Sequence, residues 1–402
     1  MDIKITRLGH LGDGIAEGPL FAPRTLPDEV VTGTPQGDRL TDIRIVTPSE
    51  HRVKAPCAHY NACGGCALQH ASDDFVAGWK RQVIQTALAA QDLNVSPEPT
   101  LTSPAGTRRR GTLHGKRTKK GALVGFHARA AETITPVPNC LLLDPVILAA
   151  IPTLETLTRI AASRAAEVAY HLTVSDAGLD LAIENAKPLD ASIRQELPSY
   201  VAAFARVTWN GEPVLQAAAP GVRFGTARVV PPPGAFLQAT PEGESALVRA
   251  AMDASGSASR VIDLFSGCGT FTFPAAAQAS VHAMESEQTL LAALDHGVRH
   301  NQGLKPITTE RRDLFRNPVL PEDLAKFDAA IIDPPRAGAE AQVAELAQSS
   351  IPRIAFVSCN PVTFAREAAT LVQAGYTLNW VRVIDQFRWS PHIETVASFS
   401  KD

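Results

Sequence analysis

Three side chains near the end of the sequence stand where the chain leaves or enters an apolar strand, and their types belong together. Residues 353–361 read RIAFVSCNP, so Cys359 follows an apolar run and precedes Asn360-Pro361, where the chain must turn. Residues 329–336 read AAIIDPPR, with Asp333 in the corresponding place. Residues 383–395 read VIDQFRWSPHIET, and Glu394 enters the last strand. A thiolate adds readily to an electron-poor carbon, and a nearby carboxylate can take up the proton that the reaction later sheds. In open α/β sheets ligands bind beyond the carboxyl ends of the strands, so Asp333 and Cys359 are expected to face one crevice.

A second cluster could hold the other reactant. Residues 260–274, RVIDLFSGCGTFTFP, form a short apolar strand running into a Gly-rich turn, where Gly267 and Gly269 would let a ligand approach the backbone closely. The next strand, Val281–Met284, ends in Glu285, 22 positions after Asp263. An acidic residue at that spacing suits ribose hydroxyls. The turn departs from G-x-G-x-x-G, since Phe271 and Thr272 follow. That argues for a smaller adenosyl ligand such as S-adenosylmethionine rather than a dinucleotide. A sulfonium methyl donor gives the thiol and the carboxylate a joint task. Carbon C5 of uracil is a poor nucleophile until a thiolate adds to C6. The resulting enolate can take a methyl group at C5, after which a base removes the C5 proton and the thiolate leaves.

Four more thiols form a third constellation. Cys57-x5-Cys63-x2-Cys66 is followed by Cys140, 74 residues after Cys66. Four thiolates suit a structural zinc or a [4Fe–4S] cluster. Zinc ribbons use two C-x2-C pairs, and this chain has one pair plus a single distant cysteine, which favours iron–sulfur. Cys268 reads as packing.

These groups need elements to position them. The 402 residues suggest two to three domains. Short strands, Ile3–Leu8, Val30–Thr34 and Thr41–Thr47, separated by turn signals, predict a small β-barrel over residues 1–54. Residues 55–230 carry the cysteine cluster, a helix over 75–91 with Trp79, Val83, Ile84, Ala87 and Leu88 on one face, and a hairpin within 108–139. After Pro231-Pro232-Pro233-Gly234, residues 231–402 alternate strand and helix, the pattern of a parallel sheet with crossover helices. The predicted class is α/β, with a Rossmann-like domain behind a small barrel and a central α+β domain. Residues 1–130 hold 17 Lys+Arg against 12 Asp+Glu, and the remainder 21 against 29. A basic front half suits an anionic partner. Seven of the thirteen residues from Arg108 to Lys120 are Lys or Arg, candidates for phosphate contact. Phe387, Trp389 and His59 are candidate stacking groups. No apolar run approaches the ~18 residues of a membrane span, and no signal peptide is read, so a cytoplasmic protein is expected.

As a set, PCAHYNACGGCALQH, RRRGTLHGKRTKKGALVGF, LQAT, DLFSGCGTFTFP, AMESE, IIDPPRAG, VSCNP and DQFRWSPHIE resemble the iron–sulfur-containing RNA uracil-C5 methyltransferases. The resemblance spans most of the chain. It implies an OB-like TRAM barrel, a central RNA-binding domain with a [4Fe–4S] cluster on Cys57, Cys63, Cys66 and Cys140, and a Rossmann-like catalytic domain. Cys359 would be the nucleophile, Glu394 the proton acceptor, and Asp333 would sit beside donor and target base. Gln238, Phe265, Gly267, Gly269, Thr270, Glu285 and Asp313 would join Asp333 around S-adenosylmethionine, with Thr270 where many members carry Asn. Arg388-Trp389-Ser390-Pro391 replaces the family's Pro-His-Thr pattern, which implies different substrate contacts there. The implied partner is structured RNA, 23S rRNA first, the transfer RNA T-loop second, with no membrane and no obligate protein partner. A non-catalytic iron–sulfur RNA-binding protein is the alternative of another class.

Overall fold

Residues 260–400 contain runs such as Ala329–Ile332 and Ile354–Ser358 whose every side chain is buried, as strands covered on both faces require. In the computed structural model, which describes residues 2–401, these runs build an eight-stranded sheet. Its order is Ile307–Arg311, Ser280–Glu285, Arg260–Leu264, Ala329–Ile332, Arg353–Ser358, Glu394–Ser400, Thr377–Asp385, Leu101–Thr102. The first five strands are mutually parallel, and Glu394–Ser400 runs against both of its neighbours. Helices cover both faces. Phe364, Ala368 and Leu371 of helix Pro361–Gln373 lie over one, and Leu247, Ala250 and Ala254 of helix Pro241–Ser255 over the other.

The front of the chain forms two further layers. Strands Ile3–Leu8, Gly14–Ala16, Leu20–Ala22, Arg39–Thr47 and Val30–Gln36 close into a barrel around Ile5, Ala16, Ala22, Val31 and Leu40. A seven-stranded mixed sheet follows, with strand Arg110–Arg117 between Val168–Ser175 and Ala122–His127. Helix Pro145–Ala161, started by the Asp144 cap and by Pro145 at its first turn, packs Ile147, Ile151 and Leu154 on one face of that sheet.

The helix expected over 75–91 spans Asp73–Ala89, capped by the Ser72 hydroxyl with Asp73 and Asp74 in the first turn. Ile84 and Leu88 pack in the same core as Ile332 and Phe356, so this helix lies against the C-terminal sheet. The residue that periodicity could not assign is Lys80. Its ammonium is fully buried and lies 2.6 Å from Asp385 Oδ1, which also accepts the Phe387 amide. Strand Leu101–Thr102 joins the same sheet beside Asp385.

Removing one partner of a buried ion pair leaves the other charge uncompensated, at a cost of about 3–5 kcal/mol. Lys80→Ala is therefore expected to lose that much stability in urea denaturation. The pair Lys80→Met with Asp385→Asn removes both charges and keeps the acceptor for Phe387, and it should recover much of the loss. Equal losses would show that charge pairing is not what holds the helix down.

Candidate functional site

The register of the sheet brings the three reactive side chains to one edge. Strand Arg260–Leu264 lies between Ser280–Glu285 and Ala329–Ile332, so the order of connections reverses beside it, and a crevice opens at such a point. Leu264 pairs with Ile332, and the Asp333 amide donates to Leu264 O at 3.3 Å, which sets Asp333 next to the Gly-rich turn. Cys359 follows Ser358 at the end of the next strand but one. Thr395 pairs with Ser358 across the reversed strand, so Glu394 emerges beside Cys359. Thr395 Oγ1 donates to Ser358 O at 3.1 Å and pins that register.

Burial and mutual repulsion govern these groups electrostatically. Burial, and then the charges of Glu394 and Asp333, push the Cys359 thiol up to about 11, while Arg336 pulls the other way. Burial and Asp263 push Asp333 up to about 7. Glu394 is 4% exposed, and burial, then Asp333, raise it well above the ordinary carboxylate range. A hydrogen bond from Gln386 and the charge of Arg110 oppose that rise. A carboxyl raised in this way is suited to take and hold a proton near neutral pH.

The turn after Leu264 is shaped for close approach. Phe265 has φ +65°, Gly267 +57° and Gly269 +103°. A Cβ on Gly269 would lie 2.5 Å from the Phe273 ring, so that position has no room for a side chain. Glu285 Oε2 accepts from Gly267 N at 3.0 Å, while Oε1 accepts from Ser286 N at 2.7 Å and Glu287 N at 2.8 Å. The acid that sequence spacing assigned to a ribose thus also fastens the turn. Thr270 is half-buried on that turn. Asp313 follows strand Ile307–Arg311 and accepts from Phe315 N at 3.0 Å. Phe315 sits 5.5 Å from Phe265, ring centroid to ring centroid, an apolar pair that sequence reading missed.

Gln238, 4% exposed, connects this region to the reactive side chains. Gln386 Nε2 donates to Gln238 Oε1 at 2.5 Å, and Gln386 Oε1 accepts from Ala239 N at 2.5 Å. Gln386 also opposes the rise of the Glu394 carboxyl. One buried amide therefore bonds the expected donor contact and acts on the expected base. Gln386 lies within the motif that announced Glu394, but only the fold shows that it points inward. Arg110 is another such residue. It lies 4.1 Å from the Phe236 ring centroid, and its charge acts on Glu394.

The basic run from Arg108 to Lys120 divides in two. Arg109 is buried and paired with Glu244, and its Nε donates to Gln238 O at 3.1 Å. Arg108 and Arg110 are half-buried beside aromatic rings. Only the residues around the turn, such as Lys116, Lys119 and Lys120, are exposed as a phosphate contact needs. Trp389, a candidate stacking group, is buried and tied down. Its indole donates to Asp73 at 3.2 Å, and its carbonyl accepts from Ala67 and Leu68. A cavity of about 660 Å³ runs from Cys359 and Arg336 to the barrel, past Phe75 and Trp79 to Arg7 and His10.

Cys57, Cys63, Cys66 and Cys140 line one small cavity, together with His59 and Phe126, and none is in a disulfide. The Gly65 amide donates to Cys63 Sγ at 3.3 Å and the Leu142 amide to Cys140 Sγ at 3.4 Å. Burial, and then the neighbouring thiols, push Cys66 up to about 12, with Gln69 opposing. Cys268 lies apart, fully packed. Three thiolates on one zinc would have sulfurs about 3.8 Å apart at Zn–S ≈ 2.3 Å. No three of these sulfurs lie within 4.8 Å of one another. Four thiols around one cavity are a donor set for either a metal ion or an iron–sulfur cluster.

Residues 232–401 match the family described as tRNA (uracil-5-)-methyltransferase. The chain is 41% identical to an uncharacterized RNA methyltransferase of Caulobacter vibrioides, over all of both chains. It is 40% identical to another from Brucella suis, over 99% of this chain and 97% of that one. It is 31% identical to the 23S rRNA (uracil(1939)-C(5))-methyltransferase RlmD of Chromohalobacter salexigens, over 100% of this chain and 89% of that protein. The structure of the Pyrococcus abyssi tRNA (uracil-54, C5)-methyltransferase with S-adenosyl-L-homocysteine has the same fold, at TM-score 0.78 and 21% identity, covering 99% of this chain and 100% of that one.

The raised Cys359 thiol has a direct chemical readout. A shift from the ordinary 9.0 to about 11 cuts the thiolate population near neutral pH by about a hundredfold. The greater nucleophilicity of the more basic thiolate restores about tenfold, since β ≈ 0.4–0.5. Alkylation of Cys359 by iodoacetamide, followed on its own peptide by mass spectrometry, should be about tenfold slower at pH 8 than for an exposed cysteine. It should keep rising with pH up to about 11. A plateau at or below pH 9 would mean that the neighbouring acids do not act on the thiol.

Proposed function

This chain belongs to the S-adenosylmethionine-dependent RNA uracil-C5 methyltransferase family, and from that membership we propose that it methylates C5 of a uridine in 23S ribosomal RNA through a covalent Cys359 adduct. The observation that carries the reading is the register that sets Glu394 beside Cys359, with Asp333 between them and the Gly-rich turn.

Cys359 and Glu394 give up their protons to solvent as uracil and the cationic methyl donor fill the crevice, because a positive charge nearby favours the thiolate and the carboxylate. Its sulfur then bonds to C6, and the C5–C6 π electrons move into the ring as an enolate. C5 displaces the methyl group from the sulfonium, releasing S-adenosylhomocysteine. Glu394 takes the C5 proton, the C6–S bond breaks, and the thiolate is restored. Asp333 lies between the two reactants. Gln238, Phe265, Thr270, Glu285 and Asp313, with the backbone at Gly267 and Gly269, hold the donor. Gln386 holds Gln238 toward the donor and opposes the rise of the Glu394 carboxyl.

Ribosomal RNA is favoured by the kinship with RlmD, which spans all of this chain. Mapping 5-methyluridine in ribosomal and transfer RNA from cells with and without the gene tests the target. Loss at one large-subunit uridine is expected, and loss confined to the transfer RNA T-loop would move the target. In vitro, Cys359→Ala should lose at least a thousandfold in rate. Glu394→Gln should trap a denaturation-stable protein–RNA adduct that carries the methyl group. Methyl transfer persisting in Cys359→Ala would remove the covalent route.

Cys57, Cys63, Cys66 and Cys140 would hold a [4Fe–4S] cluster, which would supply a tie between the loop 57–66 and the segment at Cys140 rather than a step of methyl transfer. Protein purified without oxygen should contain iron and acid-labile sulfide in equal amounts, both lost in Cys140→Ser. A single zinc with no sulfide would replace the cluster by an ion.

A further inference from the structure

The face of the central sheet opposite helix Pro145–Ala161 is not packed by that helix, and it carries a group of side chains that methyl transfer does not use. Leu113 of strand Arg110–Arg117 points into the core under the helix, so His114 and Lys116, one residue out of phase with it, share the other face. Directly paired residues lie on the same face of a sheet. His114 pairs with Gly125 and with Ala169. His127, two residues beyond Gly125, and Glu167, two residues before Ala169, therefore share the His114 face. Gly125 has no side chain to separate the rings, and the His114 and His127 imidazoles stack with centroids 3.9 Å apart.

We propose that His114, His127 and Glu167 form a binding site for a divalent transition-metal ion, distinct from the four-cysteine site. One ligand atom from each of the three lies within 4.8 Å of the other two. His127 Nε2 and Glu167 Oε2 are 2.9 Å apart. A tetrahedral ion with bonds near 2.05 Å holds such a nitrogen and oxygen about 3.3 Å apart. Replacing the proton shared by His127 and Glu167 with the ion thus requires only a few tenths of an ångström. Lys116 Nζ lies 2.9 Å from Glu167 Oε1, the other carboxylate oxygen, so it can stay in place and orient the ligand.

Two imidazoles and one carboxylate suit zinc, cobalt or nickel. They are too few oxygens for calcium or magnesium. The adjacent His171 lies outside this group: its Nδ1 bonds Thr112 at 3.0 Å, and its Nε2 lies 3.1 Å from Glu184 without a hydrogen bond. Three protein ligands leave a fourth position open, the arrangement of an ion that exchanges its outer ligand. The turn bearing Lys116, Arg117, Lys119 and Lys120 borders it. That turn lowers the affinity for a cation and selects an anionic outer ligand.

The test is a titration of the full-length protein, its four-cysteine site loaded, with Co2+ alone, followed by absorption and calorimetry. The expected result is one added Co2+ per chain, with ligand-field bands but no sulfur-to-cobalt charge-transfer band. Affinity should fall at least tenfold in His114→Gln and in Glu167→Gln, each melting at the wild-type temperature without added metal. The two changes sit on separate strands, so a folding defect in one leaves the other informative. No added Co2+, a charge-transfer spectrum that assigns the cobalt to thiols, or undiminished binding in both variants would overturn the site.

Discussion

One reversed strand decides where the chemistry can occur. In a sheet of parallel strands, every carboxyl end delivers its loop to one edge and every amino end to the other. An acid at the start of a parallel strand would lie a full strand length away from a thiol at the end of its neighbour. Glu394–Ser400 runs backward between Arg353–Ser358 and Thr377–Asp385. Its first residue therefore reaches the edge where Cys359 emerges. Shifting the Thr395–Ser358 pairing by one residue would turn Glu394 to the opposite face of the sheet. The Thr395 hydroxyl bond to Ser358 O acts against that slip.

The same juxtaposition creates an electrostatic problem. A thiol and two carboxyls share one partly dry edge: burial raises all three, both carboxyls raise the thiol, and Asp333 raises Glu394. The free site disfavours the charged forms, and the thiol is held high at about 11. In the mechanism we propose, the positive charge of the donor relieves that repulsion, so the thiolate forms when the donor is seated. Gln386 and Arg110 work against the penalty on Glu394 from two directions, and Gln386 also reaches Gln238.

Much of this was legible in the sequence, for a physical reason. Cys359, Asp333 and the Gly-rich turn each follow an apolar run, and strand ends are local signals. The cysteines were legible because thiols at short spacing are rare. The barrel strands Ile3–Leu8 and Arg39–Thr47 showed in turn residues and alternation. What was hidden depends on partners far along the chain. Lys80 looks like a solvated helix residue until Asp385, 305 positions away, covers it. Arg108, Arg109 and Arg110 read as a phosphate-binding run, yet the fold turns Arg109 onto Glu244 and lays the other two on aromatic rings. Trp389 is a candidate stacking group by its type, though more often core or rim, and the loop at Ala67–Leu68 packs it into the core. Charge and aromaticity state what a side chain can do, while only packing states where it points.

That distinction also explains why the front of the chain cannot be treated as a detachable RNA-binding appendage. Helix Asp73–Ala89 lies in the core of the C-terminal sheet, and Leu101–Thr102 forms its outermost strand. Lys80 holds the segment 385–387, which carries Gln386 to the reactive edge. The barrel, through Arg7 and His10, and the helix, through Phe75 and Trp79, wall the cavity in which Cys359 is exposed. Residues from the first hundred positions therefore set both the shape of the crevice and the orientation of the amide behind it. A change of substrate can be made in those front walls while the reversed strand keeps the nucleophile and the acid together.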